Sequence, residues 1–161
     1  MFRDMRRKKQ LLSKEETEAV LSRGKTGVIG ICSSNDYPYT VPLNYAYRDN
    51  IIYFHCATEG QKLDGIRKNN RVSFTVIDKD EIAEELFTTL YRSVIAFGKA
   101  RIVTDENEKR KGLQWLIEKY TPNQIREGQE MIEKELHRTG IVAIEIEHKS
   151  GKAGKEVINK Q

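Results

Sequence analysis

The chain has 161 residues, 38 % of them apolar, and carries 28 Lys and Arg against 24 Asp and Glu, a formal net charge of +4. That length suits one domain with a core of its own, and the apolar share argues against wholesale disorder. No apolar run is long enough to span a bilayer as a helix. Two cysteines make neither a disulfide framework nor a metal site, so Cys32 and Cys56, both in apolar strand-like segments, are expected to be buried free thiols.

The charge surplus is local. Residues 1–9 hold Arg3, Arg6, Arg7, Lys8 and Lys9 against Asp4, which equals the whole excess of the chain. A basic arm on a balanced domain argues against a broad nucleic-acid footprint. The arm reads as a solvated tail, a clamp for an anionic ligand or partner subunit, or a weak polyanion contact. It leads into Ser13 and a charged helix rather than an apolar signal core, so the expected location is cytoplasmic.

Ser13-Lys-Glu-Glu16 is a capping box, with Ser13 accepting from the helix start and Glu16 reaching back. Ala19, Val20 and Leu21 supply the apolar side of a helix ending near Gly24. Thr26 to Ser33 follows as a strand, SSNDYP as a turn, and Tyr39 to Tyr47 as the next strand. Pro42 removes a ladder donor there, which places it at an edge or irregularity of the sheet. RDN closes a hairpin into Asn50–Ala57, where Ile52, Phe54 and Cys56 share one face and Tyr53, His55 and Ala57 the other.

Gln61 to Lys68 forms a short helix with Leu63 and Ile66 inward, and Asn69-Asn70 turns the chain into the strand Arg71–Val76. Asp78 to Leu86 is acidic and weakly patterned, a flexible excursion or a short helix. Thr88 to Val103 alternates as a strand, with Gly98 permitting a bulge. Asp105 and Glu108 form a cap pair for a helix with the stripe Leu113, Leu116, Ile117 and Tyr120. Thr121-Pro122 begins another helix, and Gly140 to Glu147 is the last strand.

The order is therefore helix, five or six strands interrupted by one short helix, two helices, and a last strand. Short strands in an open sheet would leave edges exposed, and closure into a barrel removes them. Regular strand–helix alternation is missing, which argues against a doubly wound fold. The expected organisation is a basic arm over 1–12, a barrel domain over 13–147 and a flexible tail over 148–161.

Catalytic motifs are scarce. The sequence contains no GxGxxG after the first strand, no GxxxxGK[ST], no HExxH and no cysteine cluster. GKAGK near the tail is too short for a phosphate loop. His55 stands on a strand beside a polar turn, where it is a ligand-contacting group or a satisfied structural histidine. Lys62 lies at a helix start, where free backbone N–H groups and an ammonium together suit an anion; an ordinary surface lysine is the bland alternative. Arg92-Ser93 offers a guanidinium and a hydroxyl within an apolar strand, for a phosphate or carboxylate or for a surface salt bridge.

VPLNYAY, IIYFHCATEGQKLDGIRKNNRVSFTV and YRSVIAFGKARIV together resemble the FMN-binding split barrels of the pyridoxamine 5'-phosphate oxidase-like superfamily, with closer likeness to its nitroimidazole-resistance branch. The resemblance implies a mainly β fold with flanking helices, a six-stranded split β-barrel of Greek-key type, and a homodimer with FMN at the subunit interface. It places Val41, Pro42, Leu43 and Asn44 along the flavin ring and His55, Ala57 and Thr58 around the ring and ribityl chain. Lys62 takes the phosphate, and Tyr91, Arg92 and Ser93 belong to a strand approaching the cofactor, from the same subunit or the other one. His55 is the residue implied at the reactive centre, and no metal is implied. The arginine-rich substrate motif of true pyridoxamine-phosphate oxidases is missing, so that specific reaction is not expected.

The leading expectation is an FMN-dependent oxidoreductase that passes electrons or hydride from a reductant to a small organic acceptor such as a nitroaromatic. The alternatives are a non-catalytic flavin carrier and a haem or small-ligand split barrel with His55 as axial ligand.

Overall fold

The computed structural model describes residues 2–33, 35 and 37–158. Helix α1 (Lys14–Arg23) begins where the capping box places it, with Ser13 Oγ accepting the Glu16 N–H at 3.0 Å. The reciprocal half of the box is not made, because the Glu16 carboxylate instead accepts from Arg23 at 2.9 Å. Strands β1 (Gly27–Cys32), β2 (Pro38–Leu43), β3 (Ala46–Arg48) and β4 (Ile51–Cys56) follow, then α2 (Gln61–Lys68). Long strands β5 (Arg71–Ala83) and β6 (Thr88–Ile102) precede the helices α3 (Glu106–Tyr120) and α4 (Ile125–Glu135), and β7 (Gly140–Ala153) and α5 (Lys155–Ile158) close the chain.

All seven strands join one antiparallel sheet in the order β2-β1-β5-β6-β7-β4-β3. The expected six-stranded split barrel is therefore corrected: the sheet has seven strands and is not closed, with β2 and β3 as its two edges. The expected strand from Tyr39 to Tyr47 breaks at Asn44-Tyr45, and its two pieces go to opposite ends of the order. Laid flat, six strand spacings would separate those edges by about 29 Å, while the chain from Leu43 to Ala46 reaches at most about 11 Å. The sheet must therefore curl until its edges meet at that corner.

Beyond the corner the edges stay unpaired. Pro38 and Pro42 have the same parity along β2, and proline is accommodated where its missing donor faces away from the ladder. Both gaps therefore fall on the free edge, leaving it too few donors to zip shut. On the other side, β3 pairs only with Ile51, Ile52 and Tyr53, so Phe54, His55 and Cys56 have β7 on one flank and no strand on the other.

The curl encloses Ile29, Ile52, Phe54, Phe74, Val76 and Val94, all fully buried, with Val20 and Leu21 from α1 and Leu63 and Ile66 from α2. A second cluster on the opposite face of β4 and β7 joins Tyr53, Ile141 and Ala143 to Trp115 and Leu116 of α3. Apolar residues on both faces of β4 are thus satisfied by two separate cores. The bulge anticipated at Gly98 is present as a register shift between Phe97 and Gly98; a Cβ at Gly98 would lie 2.2 Å from the Glu145 carbonyl oxygen.

The acidic stretch after Asp78 is neither a loose excursion nor a helix of its own. It continues β5 into an arm paired with β6 from Lys79↔Arg92 to Ala83↔Thr88, turned by a short 3-10 helix and a left-handed Phe87. Thr121 does not start α4; its hydroxyl donates to the Ile117 carbonyl and so finishes α3. Residues 148–153, expected in a flexible tail, continue β7, and Leu12 of the arm donates to the Gly151 carbonyl at 2.9 Å. Phe2 stacks on His148 at 4.8 Å, so the described part of the arm lies against the sheet. Cys32 and Cys56 are free thiols as expected, but Cys32 is exposed and Cys56 only half-buried.

Candidate functional site

Beyond the corner at Asn44-Tyr45 neither the edge of β2 nor the end of β4 has a strand partner, and this break in the sheet is the slit, with Val41, Leu43 and Cys56 packed against the interior cluster. The corner is pinned from below. The Asn44 side-chain amide donates to the Lys25 carbonyl at 3.0 Å, and Tyr45 donates its N–H to the Tyr120 hydroxyl at 3.0 Å. Tyr120 in turn donates to the Lys25 carbonyl at 2.6 Å, and the buried Tyr45 hydroxyl donates to the Leu21 carbonyl at 2.7 Å. Burial raises the Tyr45 hydroxyl well above the ordinary tyrosine range, so it remains a donor.

Val41 and Leu43 point into the interior cluster, while Pro42 is exposed between them. Phe54 is fully buried, and its ring lies 5.4 Å from the Lys62 ammonium. Burial raises the Cys56 thiol, against the opposing field of the same ammonium. Lys62 is half-buried beside Phe54 and Cys56 and has no carboxylate partner among the described residues. It stands in the first turn of α2, behind Gly60 at φ 125°, where Leu63 and Asp64 donate to the Gly60 carbonyl and the N–H groups of Gln61 and Lys62 precede the first helical bond. Ala57 and Thr58, both exposed, join β4 to that turn.

His55 points to the other face of β4. It is exposed and reaches a concavity walled by Asn44 and by α3 and α4. The structure thus sets Asn44 and His55 at the α3–α4 concavity and Lys62 beside Phe54 and Cys56 on the other face of β4, with Ala57 and Thr58 between β4 and α2.

Tyr91, Arg92 and Ser93 stand elsewhere in the chain. Arg92 is 3.0 Å from Asp78 and 3.4 Å from Glu16. Arg23 donates twice to the same Asp78 carboxylate at 2.7 Å, from Nε and Nη2. Arg23, aided by Arg92, holds the Asp78 carboxyl below its usual range, and Asp78 and Glu16 raise the Arg23 guanidinium. The Arg92 guanidinium is thereby tied to carboxylates of this chain through Nη1, with its buried Nε left without a partner among the described residues. Tyr91 meets Gln10 at 3.5 Å, and Ser93 pairs in register with Ile77 and Lys152.

The sequence offered no signal for two features of the same region. Lys119 on α3 lies 3.9 Å from the Tyr45 ring with its ammonium buried and without a hydrogen-bond partner among the described residues, and burial lowers it to about 8. The groove between α3 and α4 was also unannounced, because it depends on how the two helices cross. Among the described residues no group of His, Cys, Asp and Glu could hold a metal.

A family model described as pyridoxamine 5'-phosphate oxidase matches residues 13–153. The chain belongs to that family. The chain is 32 % identical over 90 residues to an uncharacterized protein of Rhizobium meliloti (strain 1021), covering 56 % of this chain and 54 % of that one, so the match spans about half the length of the relative. Among solved structures it is similar to a candidate 5-nitroimidazole antibiotic resistance protein of Bacteroides thetaiotaomicron VPI-5482, at TM-score 0.76 and 23 % identity over 88 % of this chain and 85 % of that one. It is also similar to the flavocytochrome Anf3 of Azotobacter vinelandii, at TM-score 0.77 and 20 % identity over 94 % of this chain and 72 % of that one. At these identities the likenesses show the fold.

Proposed function

We propose that the slit holds FMN and that the protein is an FMN-dependent oxidoreductase acting on a small organic acceptor, a nitroaromatic among them. The observation that carries this reading is Lys62: a half-buried ammonium at a helix start, without a carboxylate among the described residues, beside the buried Phe54 ring and the stretch of β4 that has a strand on one flank only. That combination fits a ligand with one anionic end and one flat, hydrogen-bonding end. Lys62 and the α2 N–H groups would hold the phosphate, with Ala57 and Thr58 along the ribityl chain. Val41 to Asn44 would present backbone carbonyls to the ring, and the bonds pinning Asn44 and Tyr45 would keep that wall rigid.

When bound, FMN supplies the redox chemistry of the site. An imidazole can donate and accept hydrogen bonds, so His55 would orient the acceptor. No acid or base is required of the chain. The reading includes a homodimer, in which a second copy covers the outward face of the sheet where Ile95 and Phe97 are exposed. The likeness to the Bacteroides protein supports a nitroaromatic acceptor, and the family supports the flavin.

The test is the absorption spectrum of the purified protein, followed by anaerobic reduction with NADH or NADPH and reoxidation by a nitroimidazole. Flavin bands with turnover are expected, together with a dimer on gel filtration. A Soret band in place of flavin bands would overturn the cofactor; flavin that cannot be reduced and reoxidised would leave a carrier instead of an enzyme.

A further inference from the structure

His55 and Asn44 face a cavity of about 560 Å³ between β4 and the α3–α4 pair, within the size range of small-molecule sites. Its floor is apolar, made by Leu113, Leu116 and Ile117 of α3 and by Met131 of α4, which is 54 % exposed. The helices touch at Gly128, where a Cβ would come within 2.8 Å of the Ile117 side chain. That close approach shuts the bottom of the groove and leaves its mouth open toward His55.

The rim has one sign of charge. Glu127 and Glu135 line it and no lysine or arginine does, in a chain whose basic residues outnumber its acidic ones by 28 to 24. Glu135 is ion-paired with Arg138, outside the cavity lining. Glu127 has no ion-pair partner among the described residues. An apolar floor ending at an uncompensated carboxylate suits a flat ring system that carries a positive charge. An anionic ligand would meet two carboxylates and no cation.

We infer that this groove is a binding site for a planar aromatic cation, with the ring on the α3–α4 floor and its charge at Glu127. Its role as the acceptor pocket rests on the flavin reading, since His55 borders both sites; the binding itself does not. The site selects for charge as well as shape, so ring systems of equal size differ in affinity according to whether they are cationic.

Isothermal titration of the full chain with proflavine, a planar cation, and with acridine, its neutral parent at pH 8, tests this, with FMN titrated into the same preparations. Proflavine is expected to bind about fivefold more tightly than acridine, the scale of one partly exposed ion pair. Glu127→Gln removes that difference while leaving acridine and FMN affinities unchanged, and Met131→Trp, which fills the floor at an exposed position, abolishes both dyes. Equal affinity for the two dyes in the native chain, or dye binding indifferent to both substitutions, overturns the assignment. Dye binding that follows this pattern in a protein with no affinity for FMN upholds the groove and removes the flavin reading instead.

Discussion

Lys62 and Arg92 are both cations set against the sheet, and in the sequence each was a candidate for a phosphate. Their neighbourhoods differ in what is left over. Arg92 shares Asp78 and Glu16 with Arg23, in a cluster where Asp78 is 11 % and Arg92 18 % exposed at the side chain. Lys62 sits beside Phe54 with no carboxylate among the described residues. A guanidinium already bonded to carboxylates has little attraction left for a ligand, even with its Nε unpaired, whereas an ammonium without a carboxylate retains its own. Availability of the charge, more than its presence on a strand or helix, separates a structural cation from a binding one.

The largest effect should come from breaking the saturated cluster. Asp78→Ala leaves Arg23 and Arg92 facing each other without their shared carboxylate and should cost about 3 kcal/mol, read by chemical denaturation. The same carboxylate governs acid sensitivity. Its folded pKa is depressed, so its contribution is fully present above the unfolded value and is lost as pH falls through the folded one. The native chain should therefore lose stability progressively below about pH 4, with a shallower slope in Asp78→Ala. An unchanged slope would remove Asp78 from the account of that region.

Lys62→Ala sharpens the other half of the contrast. It should weaken FMN binding about tenfold, the scale of a charge-assisted hydrogen bond, without shifting the thermal midpoint of the flavin-free protein. Arg92→Met should do the reverse, lowering the midpoint more than it weakens FMN. Matching losses of FMN affinity in the two variants would erase the distinction.

The smallest effect concerns Lys119, a cation with neither carboxylate nor open slit. Its folded pKa, lowered by burial to about 8, lies below the ordinary lysine value of 10.5, so the unfolded chain binds more protons between them and stability rises as pH increases across that window. Lys119→Met should flatten the rise and stabilise the protein at pH 7 by about 1 kcal/mol. A denaturation series from pH 7 to pH 10 on both proteins measures it.

Much of the local structure was legible beforehand. The N-caps at Ser13 and Asp105 form, the latter with Asp105 accepting the Glu108 N–H at 2.8 Å, although Glu16 turns to Arg23 instead of reaching back. The irregularity anticipated at Gly98 also appears, with Glu147 of β7 as the extra residue opposite it. Asn44-Tyr45 was not visible as a break, because Tyr120, 75 residues away from Tyr45, supplies the hydroxyl that receives the Tyr45 N–H. Nor was the partnership of Arg92, since Asp78 lay in a stretch whose pattern was too weak to place on a strand.

Strand alternation, helix stripes and caps depend on residues within one turn or one pleat of each other, so the amino-acid order alone determined them. The choice of partners across the fold belongs to the tertiary structure. Arg23 and Asp78 are 55 residues apart, and Leu43 and Ala46 lie close in the chain yet on opposite edges of a seven-stranded sheet. Pro42 told where a donor would be missing; only the curl of the sheet decided that this donor falls on an edge left without a strand partner.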